Sequence, residues 1–249
     1  MKQKILTMDV DVTQLSSALK QTLTLSQAEH GAYVCVSNVH MCMETFDSIA
    51  FRKVVNNADL VIADGRPISW AQQLLGHEGA GQVRGQDIMI ALCQQSHNSE
   101  LSIGFYGGSS DRVLACVVDN LKKQFPHIKI NYRFSPPFRA LTTEEDQQII
   151  ANINNANVDV LFVGIGCPKQ ENWMAEHKAA LNCVMLGVGA AFDFIAGDKK
   201  YAPRWIQKIG CEWLFRLVSE PKRLWKRYLK QNPRFVYHFA KQYIKYKCK

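Results

Sequence analysis

The chain has 249 residues, 47% of them hydrophobic and 21% charged, enough apolar matter for a large core and too ordered a composition for bulk disorder. Its formal net charge is +8, but Lys199 to Lys249 holds 15 Lys and Arg against 2 acidic residues, so residues 1–198 are net acidic. An acidic body argues against a broad nucleic-acid-binding surface, while the basic tail asks for a polyanion: anionic lipid, nucleic acid or a phosphorylated substrate.

The N-terminal MKQKILTMDVDVTQ lacks the apolar core of a signal peptide. No segment approaches the ~18 uninterrupted apolar residues of a spanning helix. The expectation is a cytoplasmic protein that is not integral to a membrane. In chain order, apolar strand candidates alternate with helical stretches. Strand Tyr33–Val36 precedes helix Glu44–Asn57, and strand Leu60–Ala63 precedes helices Ile68–Leu75 and Asp87–His97. Strand Ser102–Tyr106 is followed by helix Asp111–Phe125, strand Lys129–Arg133 and helix Glu144–Asn155. Strand Val160–Gly164, helix Lys169–Leu181 and strand Val184–Val188 complete the series. Thr142 with Glu145 makes a capping box. The strands are apolar rather than cleanly alternating, which suits a parallel sheet covered on both faces. The predicted class is α/β, a Rossmann-like open, mostly parallel sheet with helices on both faces.

Past Ala202 the strands stop and aromatic and basic residues interleave. Pro203, Pro221 and Pro233 are each suited to a first helical turn, so residues 203–249 are predicted as a helical basic appendage on a body of residues 1–202. Trp213, Leu214, Leu217, Val218, Leu224, Trp225 and Tyr228 recur at helical spacing between Lys and Arg. That pattern fits an interfacial helix, ordinary core packing, or both. Eight cysteines, at 35, 42, 93, 116, 167, 183, 211 and 248, include no CxxC pair. His40 and Cys42, read as neighbours on one side of a strand, gather no further ligands, and no metal site is expected.

Ligands in open α/β sheets bind beyond the carboxyl ends of the strands. There the sequence places Ser37-Asn38, Asp64-Gly65, Gly107-Gly108-Ser109-Ser110-Asp111, GIGCPKQE from Gly164 and GVGAAFDFIAG from Gly187. Gly107-Gly108, the GIG that ends at Gly166 and the GVG from Gly187 either make tight turns or let backbone N–H groups face an anion; three such turns on one rim favour a nucleotide. GxxxxGK[ST] is absent and GVGAAF departs from GxGxxG, which disfavours a nicotinamide cofactor; no cofactor is expected. Asp64 is either a turn carboxylate or a general base held at a cleft. Asp193, between Phe192 and Phe194, reads as a buried structural carboxylate or an orienting group. Lys169 and Gln170 are a solvated first turn or contacts for sugar and phosphate. Arg84 is a phosphate ligand or a surface residue.

Taken together, NNADLVIADGRPISW, VRGQDIM, GFYGGS, VDVLFVGIGCPKQENW and GVGAAFDFIAGDKKYAPRWIQKIGCEWLFRLVSEPKRLWKRYL closely resemble the WecG/TagA/CpsF glycosyltransferases (glycosyltransferase family 26), from about Val34 to Phe235. The resemblance implies an inverting, metal-independent transfer of a sugar from a UDP-sugar to a polyprenyl-diphosphate-linked acceptor. Such enzymes serve teichoic acid, common antigen, capsule and exopolysaccharide synthesis. It implies Asp64 as the general base, Asn38 and Gln170 in the site, and Arg216, Arg223 and Lys226 or Arg227 closing over a diphosphate. It also implies a peripheral protein on the inner face of the bacterial plasma membrane, bound to anionic lipid. An exposed amphipathic tail leaves room for a homo-oligomer off the membrane. Where relatives carry threonine and arginine this chain has Val36 and Gln82, with Arg84 two residues on. The competing reading is a non-catalytic nucleotide- or nucleic-acid-binding module that uses the basic tail; Asp64 and the PKQE and FDFIAG blocks, which an electrostatic binder does not need, speak against it.

Overall fold

Strands buried on both faces need continuous apolar side chains, and the runs that supply them form the centre of the fold. The computed structural model describes residues 1–28 and 30–248; Glu29 and Lys249, the last residue of the basic tail, lie outside the described residues. The chain begins with a hairpin, β1 (Lys2–Ile5) and β2 (Met8–Asp11), followed by α1 (Leu15–Ser26). β3 (Ala32–Ser37) leads through α2 (Val39–Asp47) and α3 (Ile49–Asn56) to β4 (Leu60–Ala63). α4 (Arg66–Leu74) and α5 (Gly85–Asn98) cross to β5 (Ser102–Gly107), and α6 (Asp111–Gln124) leads to β6 (Lys129–Phe134). Next come α7 (Thr143–Asn155), β7 (Val160–Gly164), α8 (Lys169–His177), β8 (Val184–Gly187) and α9 (Ala191–Ile195). The tail folds as α10 (Arg204–Lys208), α11 (Glu212–Ser219) and α12 (Pro221–Lys247).

The main sheet has six strands in the order β4-β3-β8-β7-β5-β6, and every pairing in it is parallel. Alternate side chains feed two cores. Tyr33, Cys35, Val61, Leu161 and Met185 join one with α2, α3, α4, α8 and α12. Val34, Ile62, Phe105, Phe162 and Leu186 join the other with α5, α6 and α9. The expected sheet with helices on both faces is therefore present. The helices after β3 and β7 leave toward the first core, and those after β5 and β8 toward the second. Crevices consequently open at the carboxyl ends, between β3 and β8 and between β7 and β5.

Four features differ from the sequence expectation. The N-terminal segment forms a hairpin and a helix. The predicted helix Glu44–Asn57 is two helices, because Ser48 is extended and its Oγ caps α3 by accepting the Phe51 N–H at 3.2 Å. His40 and Cys42 lie on α2, not on a strand. Pro233 starts no helix; it lies inside the 27-residue α12. A proline there forfeits one backbone bond, but its ring is exposed and packing on both sides holds the helix. Leu224, Phe235 and Phe239 are buried, and Arg234 pairs with Asp47 of α2 at 2.5 Å.

The hairpin protects one edge of the sheet. The Asp11 carboxylate accepts the Val61 N–H of β4 at 2.9 Å, and Gln72 donates to the carbonyls of Val10 and Asp11. A free sheet edge invites pairing with another chain, and a buried N–H left without a partner costs about 1–3 kcal/mol. Asp11→Ala is expected to lower stability by that amount in urea unfolding, and Asp11→Asn, which keeps an acceptor, by clearly less. Equal losses for the two variants would mean that the Val61 bond is not what Asp11 contributes.

Candidate active site

Asp64 follows β4 directly. Its backbone N–H bonds the Ser37 carbonyl at 2.8 Å, which sets the turn beside β3. Its Oδ1 accepts the Gly85 N–H at 3.2 Å, and the Gln82 amide donates to its carbonyl at 2.6 Å. The carboxyl is packed round by protein and keeps a face toward a cavity of about 540 Å³. Burial, reinforced by the nearby Glu212 carboxylate, pushes Asp64 up to about 6 against the pull of Arg216, the Gly85 N–H and Arg84. Such a group is ionised near neutral pH yet still basic, the condition a general base needs. Asn38 lines the same cavity; its Oδ1 caps α2 by accepting from His40 and Met41 at 3.0 and 3.2 Å, leaving its NH₂ for other partners.

Cations converge on this cavity. Arg66, Arg216, Arg223 and Arg227 all line it. The Nε atoms of Arg66, Arg216 and Arg227 and the Nδ1 of His40 are buried and have no hydrogen-bond partner among the described residues. Arg216 lies over the Phe194 ring at 5.5 Å and Arg227 over Tyr228 at 5.4 Å. Arg223 pairs with Glu220 at 2.6 Å. Burial and then Arg227 push His40 down to about 4, so it is neutral near pH 7. Buried donors without acceptors are costly, and a cluster of them at guanidinium groups is a site shaped for an oxyanion. Arg84 stands one layer behind, paired with Glu212 of α11 at 3.2 Å and Asp87 at 3.3 Å. It ties the tail to the body next to Asp64.

A second cavity of about 920 Å³ lies over the crevice between β5 and β7. Gly107 has φ +131°, and a Cβ there would stand 2.6 Å from the Gly164 backbone. Only glycine lets the two strand ends approach so closely. Gly108 and Asp193 line this cavity together with Tyr106 and with Lys169, Trp173 and His177, which share one face of α8. The Tyr106 and Trp173 rings stack at 4.3 Å. Asp193 pairs with Lys199, Lys199 with Glu220 at 3.3 Å, and Glu220 with Arg223. This chain of charges joins α9 to α12. Gly166, Gly189, Ala190 and Arg223 line both cavities and form the wall between them.

Gln170 sits at the base of the first cavity. Its Oε1 accepts the Gly166 N–H at 3.2 Å, and its Nε2 donates to Glu171 at 2.7 Å. It fits because Gly187 has no side chain; a Cβ there would stand 2.9 Å from Nε2. Glu171 is fully buried, and its second oxygen has no partner among the described residues. Burial pushes Glu171 up to about 7, with the Gln170 bond pulling the other way.

The sequence candidates thus divide between the two cavities. Asp64, Asn38, Gln170, Arg216 and Arg227 meet at the first, Gly108, Lys169 and Asp193 at the second, and Gly166 and Arg223 at both. Gly107 shapes the second from behind, and Arg84 faces neither. Arg66 was not among the candidates, and His40 was weighed only as a metal ligand. Their signal was position: each lies within two residues of a singled-out residue in a loop or first turn at the carboxyl edge.

The sequence profile of the glycosyl transferase WecG/TagA/CpsF family matches residues 3–249, and the chain belongs to this family. It is similar to proteins named N-acetylglucosaminyldiphosphoundecaprenol N-acetyl-beta-D-mannosaminyltransferase from Staphylococcus aureus strains MW2, NCTC 8325 / PS 47 and MRSA252. Each is 27% identical over 243 residues, 96% of this chain and 92% of the relative. The protein is an enzyme of the glycosyltransferase class.

The burial of Glu171 has a consequence for stability. The unfolded group ionises near its ordinary 4.5 while the folded one holds its proton to about 7. Its contribution is therefore neutral below pH 4.5, falls as pH rises, and levels above pH 7 at a cost of about 3 kcal/mol. Glu171→Gln, which keeps an acceptor for Gln170, is expected to match wild type in unfolding free energy near pH 4.5 and to exceed it at pH 8. A difference between the two that does not change with pH would show that Glu171 is ionised in both states.

Proposed function

We propose that this member of the WecG/TagA/CpsF family transfers a sugar from a UDP-sugar to a saccharide carried on a polyprenyl diphosphate, with inversion and with Asp64 as general base. The observation that carries the reading is the placement of Asp64 in a cavity that Arg66, Arg216 and Arg227 also line, each with an Nε donor that has no acceptor among the described residues. The relatives' name supplies the acceptor class, a diphosphoundecaprenol bearing N-acetylglucosamine, and N-acetylmannosamine as the first sugar to try.

In this reading the nucleotide lies over the glycine rim of the second cavity, with its diphosphate toward the dividing wall. The acceptor occupies the first cavity. Asp64 takes the proton of the acceptor hydroxyl as its oxygen attacks the sugar's anomeric carbon. The bond from that carbon to the diphosphate oxygen breaks on the opposite face, and UDP departs with the electron pair. Charge grows on the leaving diphosphate beside Arg223, which lines both cavities. Fixed cations placed where charge develops lower the barrier without reorganising.

Membrane docking follows from the acceptor. Among the described residues no helix is long and apolar enough to cross a membrane, so an enzyme using a lipid-linked substrate would meet it at the surface. The tail exposes Trp205, Val218, Trp225, Leu229 and Ile244 among its many Lys and Arg. Apolar insertion together with attraction to anionic headgroups holds such a surface at a bilayer.

The test is UDP release from a panel of UDP-sugars, with N-acetylglucosamine on a short polyprenyl diphosphate as acceptor. One donor is expected to react, and kcat/KM is expected to fall as pH drops below about 6, where Asp64 takes up its proton. Asp64→Asn should reduce kcat by about 10²–10⁴-fold and abolish that acidic limb, without lowering the melting temperature at pH 8, because a desolvated charge is removed. Unimpaired transfer by the variant would sink the base assignment. For the membrane, Val218→Glu with Leu229→Glu should weaken binding to phosphatidylglycerol vesicles about tenfold or more, since both side chains are largely exposed and the fold does not need them. Undiminished vesicle binding by that double variant would place the docking surface elsewhere.

A further inference from the structure

The cavity beside Asp64 changes character along its length. On α4, Arg66 is followed by Trp70, Ala71 and Leu74; on α12, Arg227 is followed by the polar Tyr228, Gln231 and Asn232 and then by Phe235, Val236 and Phe239. All line the same space. The spacing places each apolar set on one side of its helix. Both helices therefore run from cation to hydrocarbon, over about 12 Å on α4 and about 18 Å on α12 at 1.5 Å per residue. Between them α2 contributes Val39 and Met41.

The apolar end is open. Trp70, Leu74 and Val236 are 41%, 48% and 64% exposed. Trp70 is held against the tail by Gly210, where a Cβ would collide with the indole ring. The groove is therefore braced rather than loosely collapsed. Its polar end carries the unpartnered nitrogens of Arg66, Arg216 and Arg227. A peptide laid along the apolar stretch would need partners for its backbone polar groups, and a sugar would need partners for its hydroxyls. Beyond Gln231 and Asn232 the walls are hydrocarbon. The complementary ligand has a compact anionic head and one long apolar chain.

We infer that the groove between α4 and α12 is a binding subsite for an acyclic isoprenoid chain, with the arginines on the diphosphate and the first isoprene units between the two helices. This deepens the acceptor reading above and rests on it. The diphosphate end fixes the reacting saccharide over Asp64, while the chain leaves past Leu74 and Val236 toward the surface that also carries the exposed tail aromatics. The enzyme would thus grip part of the lipid rather than only the sugar.

The test is calorimetric binding of the full chain to inorganic diphosphate, farnesyl diphosphate and dioctanoyl phosphatidic acid, with no turnover required. Farnesyl diphosphate is expected to bind about tenfold tighter or more than inorganic diphosphate, because apolar area leaves water. Leu74→Gln with Val236→Gln should erase most of that advantage while leaving the affinity for inorganic diphosphate unchanged; the latter also reports an intact fold. Equal affinity for the first two ligands in wild type, or an advantage that survives in the double variant, overturns the subsite. Phosphatidic acid binding as tightly as farnesyl diphosphate overturns its assignment to a single isoprenoid chain. If the chain-length advantage appears and no glycosyl transfer is found with any UDP-sugar, the groove stands and the transfer reading falls.

Discussion

The seating of α12 on α2 is the contact on which the rest of the structure depends. Phe235 and Phe239 enter the same core as Tyr33, Met41 and Leu161, and Arg234 and Gln231 reach Asp47 and Glu44 of α2. The long helix is thereby fixed across the carboxyl edge of the sheet. Once it is fixed there, Arg223 and Arg227 must face the strand ends, because they lie on the preceding turns of the same helix. Burial of two phenylalanines is worth several kcal/mol by area. The surface ion pairs around them add less and serve mainly to set the angle of approach.

That arrangement gathers charge where burial opposes it. Asp64 and Glu171 are both raised by desolvation, and the Nε atoms of Arg66, Arg216 and Arg227 are buried without a hydrogen-bond partner among the described residues. A site optimised for stability would pair these groups with one another. Here Arg84 is taken by Glu212 and Asp87, Lys199 by Asp193 and Glu220, and Arg223 by Glu220. The body's acidic residues and those of the tail neutralise the cations that hold the tail in place, leaving Arg66, Arg216 and Arg227 without an ion-pair partner among the described residues. The acidic body and basic tail noted in the composition are in this sense two halves of one electrostatic clamp. Its loose ends point at the cavity.

How much of this was legible depended on how local the signal was. The six sheet strands match the predicted runs within a residue at each end; in five of them burial on both faces writes itself directly into composition, while the edge strand β6, KINYRF, is only partly buried. The N-terminal hairpin did not, since Lys2–Ile5 and Met8–Asp11 are short and mix charged with apolar residues. The break at Ser48 was visible only as a capping residue inside an amphipathic stretch. Pro233 misled for the opposite reason: a local rule was overridden by packing from α2. In the site, Asp64, Asn38 and Gln170 were found because strand ends project their next residues to one rim. The arginines of α11 and α12 came through the family resemblance. Arg66 escaped because the first residue of a helix, ahead of Pro67, falls outside the predicted Ile68–Leu75 periodicity.

The order of residues on α12 argues that the grip on the acceptor and the closure of the site are one event. Arg223 and Arg227 precede Phe235, Val236 and Phe239 on a single helix without a described break. One residue inserted between the two groups would turn everything beyond it by about 100°. Either the arginines would leave the cavity or the phenylalanines would leave the core. Cation and hydrocarbon therefore cannot be adjusted independently, and a ligand that bridges both ends of the groove acts on the whole helix. The same is true of α4, where Pro67 fixes the first turn directly after Arg66 and Asp64. An amphiphile lying between the two helices would press on the turn that holds the carboxylate. In that way the binding of a chain at one end would bear on the position of a proton acceptor at the other.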